Sequence, residues 1–235
     1  MSEEYVKIDK KTYELLQKEL EKQNTQKNKQ TKNAQSNKHK RIENVQPLRS
    51  KDDIANVKFF LNKGKFGLRN LTIFTIGINT GLRCSDIVKL RVKDVINSTT
   101  PYIYEQKTGK KRQVNLTNVI GLINEYIASQ HFQSEDNYLF PSRVKNRKND
   151  NKNHNIEHIG VGGFYKALEK VEFLMGRKDL GTHTMRKTFG YHFYKQTHDI
   201  MSVMRVLNHS KESTTKRYIG ITNEEINDKL KNLNL

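Results

Sequence analysis

Read for spacing alone, the chain from about residue 48 onward is a series of short amphipathic helices interrupted once by strand-like alternation. Ser50-Lys51-Asp52-Asp53 stands ahead of Ile54, Val57, Phe60 and Leu61, a capping-box-like start followed by helical periodicity. A second helix is predicted over about 67–79, ending at Gly81, where a left-handed residue suits the position past a helix C-terminus. A third, short helix is predicted from Ser85 to Leu90. Within 94–116 the period changes: TPYIYEQ and RQVNL flank a Thr-Gly pair, which predicts a hairpin. Helical spacing returns over 117–130, YLFPS reads as a short extended piece, and helices are predicted at 161–175, 183–197, 199–207 and 211–219. Thr222 and Glu225 form a capping box for a last helix over 223–232, with Ile226 and Leu230 as its apolar stripe. Many helices around one small antiparallel sheet give an α+β domain that is mainly helical.

Two stretches lack such periodicity. Residues 12–22 carry leucines at helical spacing, but 23–40 (QNTQKNKQTKNAQSNKHK) contain one apolar side chain, Ala34, five lysines and no acid. Such a stretch buries too little surface to offset the entropy of ordering, and it is expected to be a disordered basic linker. Residues 142–158 form a second polar, basic loop. The expected organisation is therefore an N-terminal appendage, residues 1–47, and one folded domain, residues 48–235.

Charge narrows the class of partner. With 43 Lys+Arg against 25 Asp+Glu the formal net charge is +18, which favours a polyanion, either nucleic acid or an acidic membrane surface. The apolar run from Leu71 to Ile78 is broken by Thr72, Thr75 and Gly77, so no membrane span is expected. The opening MSEEYVKIDKK lacks the apolar segment of a signal peptide, and a cytoplasmic protein is expected. Cys84 is the single cysteine, so an intramolecular disulfide and Cys-rich zinc sites are excluded. His131, His154, His158, His192 and His198 do not form a metal-ligand pattern, and GVGG at 160–163 lacks the features of a phosphate loop.

Several short motifs carry chemistry only in combination. Arg83 follows the helix-terminating Gly81, and its guanidinium fork matches two phosphate oxygens. Asp86, three residues on, shares its helical face and is placed to hold that guanidinium. Lys107 lies at the hairpin tip, in QKTGKKR. His183 and Arg186 stand three apart in THTMRKTF, so both can reach one ligand. His209 and Tyr218 follow in LNHSKESTTKRYIG. Singly, each has an ordinary reading as surface charge or packing. Together they supply cations for a phosphate, groups able to move protons, and one hydroxyl nucleophile.

GLRxSD, a strand–KTG–strand hairpin, HxxR and LxHSxxxTTxRY, in that order, closely resemble the tyrosine recombinases of the phage integrase family over about residues 48–235. The resemblance implies a recombinase catalytic domain that cuts and rejoins double-stranded DNA through a 3′-phosphotyrosine. It implies that Arg83, Arg186, Lys107, His183 and His209 surround the scissile phosphate, that Tyr218 is the nucleophile and that Asp86 is the acidic support. His183 is the candidate base and Lys107 the candidate acid. The arginines would neutralise the charge that Mg²⁺ meets in other enzymes, so no metal or cofactor is expected. A tetramer on DNA is expected, with an accessory DNA-binding protein as a further possible partner. Two departures stand out. Asn208 replaces the glycine usual before the histidine, and residues 1–47 are too polar to be the separate core-binding domain that most of the family carries. The alternatives are a tyrosine-dependent topoisomerase and a DNA-binding regulator that keeps the fold without catalysis.

Overall fold

The computed structural model describes residues 45–96, 98–142, 158–221 and 231. The predicted helix at 12–22, all but residue 231 of the one at 223–232, the linker 23–40 and most of the loop 142–158 lie outside these residues. Helix α1 (Lys51–Asn62) starts where the sequence signals it: the Ser50 Oγ accepts the Asp53 N–H at 2.9 Å, and Val57, Phe60 and Leu61 turn inward. Helix α2 (Gly67–Thr80) is the central element. Ile73, Phe74 and Ile76 are fully buried, and so is Thr72. Burying threonines in a helix is tolerable when their hydroxyls are satisfied; Thr72 and Thr80 donate to the carbonyls of Leu68 and Ile76, both at 2.7 Å. Gly81 takes the left-handed conformation (φ 64°) that ends α2 and turns the chain toward the short helix α3 (Cys84–Ile87).

The predicted hairpin is present. Strand β1 (Tyr102–Tyr104) pairs antiparallel with β2 (Lys111–Gln113), Ile103 opposite Arg112, and Gly109 (φ 64°) completes the turn. It is the whole sheet among the described residues, accompanied by isolated bridges at Arg91–Tyr138 and Pro141–His158. Helices α4 (Ile120–Ala128), α5 (Val161–Leu174), α6 (Thr184–Thr197), α7 (Ile200–Leu207) and α8 (Glu212–Ile219) follow in the predicted order. None is long and apolar enough to cross a membrane.

Two apolar clusters result. The larger joins α1–α5 and the hairpin through residues such as Leu61, Phe74, Ile123, Phe140 and Phe164, and takes Met185 from the start of α6. The smaller contains Tyr191, Val203, Leu207 and Ile219 under α6, α7 and α8. Helix α6 thus belongs to both. Among the described residues, Val45–Arg49 lies across α6: Lys187 Nζ donates to the Val45 carbonyl (2.6 Å), Leu48 N–H to Thr188 Oγ1 (2.9 Å), and Arg49 to the Gly220 carbonyl (2.7 Å).

Gly190 is where α6 meets α7 and α8. A Cβ there would lie 2.7 Å from Ile219 Cγ2 and 3.0 Å from Leu207 Cδ1, closer than a branched, fully buried side chain can yield. Alanine normally favours a helix over glycine by about 1 kcal/mol, whereas overpacking costs about 1–3 kcal/mol. Gly190→Ala is therefore expected to lower unfolding stability by about 1–2 kcal/mol, read as a reduced urea midpoint. A raised midpoint would mean that α6 and α8 are not packed this closely.

Candidate active site

The end of α2 assembles the first part of the site. The carbonyls of Thr80 and Gly81 have no partner within the helix; Arg112 from β2 donates to Thr80, and Arg186 from α6 donates to Gly81 and to the Leu207 carbonyl at the end of α7. Arg186 is only 2% exposed, and burial brings its guanidinium down to about 10, while still leaving it charged at neutral pH. Arg83, immediately after the α2 turn, N-caps α3 and reaches the same region.

The acidic partner of Arg83 differs from the expected one. Asp86 Oδ2 lies 3.9 Å from Arg83 Nη1, whereas Glu105 Oε2 lies at 2.8 Å. The Asp86 carboxylate is instead engaged by the hairpin, its Oδ1 accepting the Gln106 N–H at 3.2 Å. Burial pushes Asp86 up from the usual carboxylate range. Burial acts on Glu105 in the same sense, but the hydrogen bond and charge of Arg83 outweigh it and hold this carboxyl below its usual range. Glu105 was legible in principle. On a strand where Tyr102 and Tyr104 face out and Ile103 faces in, residue 105 also faces in, and an inward carboxylate requires a cation.

Lys107 is exposed at the hairpin tip, and its charge is one of those bearing on His183. His183 caps the start of α6, one turn from Arg186, and its Nδ1 lies 3.2 Å from the Tyr218 hydroxyl. His183 is pushed below its usual range, first by burial and then by the charges of Lys187, Arg186, Arg83 and Lys107. A neutral ring with its proton on Nε2 accepts the Tyr218 O–H. The Tyr218 ring is half-buried, 5.0 Å from the His209 ring and 5.3 Å from Lys187 Nζ. Burial raises its hydroxyl above the ordinary tyrosine value, and Arg186 and Arg83 pull it the other way.

Asn208 takes the left-handed conformation (φ 49°, ψ 48°) that caps α7, so asparagine fills the role expected of glycine. His209 follows, held by Thr215: the threonine hydroxyl donates to the Lys211 carbonyl (3.1 Å) and so accepts from His209 Nδ1 (3.1 Å). This leaves Nε2 for a ligand. His209 also sits below its usual range, through burial and the charges of Arg186 and Arg83. Cys84 is a buried thiol pushed up to about 12, which makes it a poor nucleophile. The seven sequence-predicted residues thus come from five places in the fold and converge on one region. Glu105, Arg112, Lys187 and Thr215 complete it and were not anticipated.

The chain as a whole is similar to several known proteins. Residues 50–225 match the phage integrase family. A probable integrase/recombinase, YoeC of Bacillus subtilis (strain 168), is 43% identical over 178 residues, covering 75% of this chain and 90% of that one. Tyrosine recombinase XerC of Staphylococcus saprophyticus is 31% identical over 169 residues, and there the match spans 53% of the relative's length. Among solved structures, XerA recombinase superposes with a TM-score of 0.60 at 18% identity, over 80% of this chain and 65% of the other. The Tn1549 transposon integrase, solved with a circular intermediate DNA, gives 0.59 at 16% identity over the same shares. Those two likenesses concern the fold; the family match and the 43% identical relative concern the sequence itself, and by them the chain belongs to the phage integrase family of tyrosine recombinases.

Proposed function

We propose that this chain is the catalytic part of a site-specific recombinase that cleaves and rejoins double-stranded DNA through a 3′-phosphotyrosine at Tyr218. Residues 48–235 form the catalytic domain in this reading, and residues 1–47 are an appendage to it. The observation that carries the proposal is the Tyr218 hydroxyl 3.2 Å from His183 Nδ1, beside two arginines whose charges bear on it. A phosphodiester repels nucleophiles by its own charge, and its transition state gathers more negative charge. Arg83 and Arg186, already fixed by their protein partners, neutralise that charge without reorganising.

The step balances as a transesterification. Tyr218 Oη attacks phosphorus while its proton passes to His183. The bond from phosphorus to the 5′-oxygen breaks, and that oxygen takes a proton from Lys107. His209 Nε2, once protonated, binds a phosphate oxygen. The phosphotyrosine keeps the bond energy, so attack by a 5′-hydroxyl reverses the step and no nucleotide cofactor is consumed. Exchange between two duplexes breaks four strands; with one Tyr218 per chain, this calls for a tetramer on DNA. Relaxation of supercoils without exchange between sites would instead identify a topoisomerase.

Trapping tests the proposal directly. The protein is mixed in EDTA with nicked duplexes of randomised sequence, then denatured in SDS. A DNA-linked band is expected, and Tyr218→Phe is expected to abolish it while changing DNA affinity by less than about threefold. A band that survives this substitution would overturn the nucleophile assignment.

The depressed His183 predicts a pH dependence with a definite sign. The neutral ring is the base, so it is lost as pH falls through a value below 6.5. The apparent second-order cleavage rate is therefore expected to fall by about tenfold per pH unit on the acid side of that value. His183→Ala is expected to be slower throughout and to lack that acid limb. A limb that persists in His183→Ala would assign it to another group.

A further inference from the structure

From the contacts of a carboxylate on the hairpin we infer that Glu105 is a positioning residue that couples Arg83 to the Lys107-bearing turn, so that the phosphate-binding cation and the proton donor are set together. The inference rests on the reading above and adds a residue to it.

Glu105 is 1% exposed and lies two residues before Lys107. Its side chain faces in two directions. Oε2 accepts from Arg83 Nη1 at 2.8 Å and from Thr108 Oγ1, across the turn, at 3.0 Å. Oε1 faces Arg112 Nη1 at 3.6 Å, on the same side chain that donates to the Thr80 carbonyl. Its backbone closes the turn as well: Gly109 N–H donates to the Glu105 carbonyl (2.8 Å), and Glu105 N–H to the Lys110 carbonyl (2.9 Å). Asp86 adds a second link in the same direction through the Gln106 N–H. The turn carrying Lys107 is therefore fastened at both flanks, 106 and 108, to groups that contact or adjoin Arg83.

A buried carboxylate is costly unless paired, and removing one partner leaves the others uncompensated. The pairing also leaves Arg83 with its Nε–Nη2 edge for a phosphate, since Nη1 is turned toward Glu105. A carboxamide at this position keeps the shape but removes the charge. It would place Arg83, Arg112 and Arg186 near one another with Asp86 as the remaining carboxylate of this group, and it would present N–H donors to guanidinium donors. Arg83 and the turn are then expected to loosen together.

The test has one arm that is independent of DNA. Amide hydrogen exchange of residues 104–113 is compared in the wild type, Glu105→Gln and Thr108→Val. Faster exchange is expected in the hairpin and at residues 83–86, with α1 and α5 unchanged. Thr108 is exposed, so its variant keeps the experiment informative if Glu105→Gln unfolds. Unchanged hairpin exchange in both variants would overturn the coupling.

The second arm uses a nicked duplex with the trapped cleavage sequence, prepared with either oxygen or bridging sulfur at the 5′ position. A thiolate leaves without a proton, so the sulfur substrate does not need Lys107. Glu105→Gln is expected to slow single-turnover cleavage of the oxygen substrate by roughly 10- to 100-fold, with DNA affinity changed by less than about threefold. The defect is expected to be at least several-fold smaller on the sulfur substrate, as for Lys107→Ala. Equal defects on the two substrates, or no defect, would overturn the inference. Failure of wild-type protein to link to either substrate would instead count against the proposed reaction, and the exchange arm would still judge the coupling.

Discussion

Two carbonyl oxygens at the C-terminal end of α2 organise this molecule. A helix C-terminus carries partial negative charge and unsatisfied acceptors, and here Thr80 and Gly81 offer theirs to guanidinium groups from elements far away in sequence, Arg112 and Arg186. Arg186 also binds the end of α7 at Leu207. One side chain therefore ties α2, α6 and α7 together, and the chain leaving α2 delivers Arg83 to the same place. Gly81 makes this possible twice over. Its left-handed backbone turns the chain, and its missing side chain admits the Phe189 ring, which a Cβ would meet at 2.5 Å.

The charges gathered there do not cancel. Arg83, Arg112 and Arg186 face Glu105 and Asp86, three cations against two carboxylates, and burial pushes Asp86 toward its neutral form. The same surplus helps to depress His183 and His209 and to bring Arg186 down. Like charges confined at low dielectric repel one another. They persist because each guanidinium is fixed by carbonyls or a carboxylate, and an arriving phosphate would relieve the repulsion. The site is thus preorganised for an anion before any anion binds.

Tyr218 stands on a different footing from the cations. Arg83, Arg112 and the start of α6 belong with the large apolar cluster, whereas Tyr218 packs on the small one formed by Tyr191, Val203, Leu207 and Ile219. Helix α8 has eight residues, and a small cluster under a short helix is where local opening costs least. The Arg49 contact at Gly220 and the Lys187 contact with the Tyr218 ring offset this by tying α8 back to α6 and to Val45–Arg49. Gly190 lets α6 and α8 approach closely enough for those contacts to form.

Local chemistry along the chain determined the elements and the set of residues proposed for the site. The Ser50 cap, the Gly81 stop, the Thr-Gly turn and the left-handed tolerance of Asn208 depend on a few neighbouring residues, and each stands where its side chain or backbone preference puts it. The spacing of Arg83, Lys107, His183, Arg186, His209 and Tyr218 likewise reflects a pattern held in sequence. The tertiary structure decided which partner each group obtained. Asp86 is three residues from Arg83, yet Glu105, twenty-two residues on, is the closer carboxylate. Thr215 orients His209, and Arg112 serves the end of α2 rather than solvent. Such pairings depend on how a hairpin docks against helices distant in sequence, and hydrogen bonding over 2.8 Å is far more exacting than the periodicity that fixes a helix.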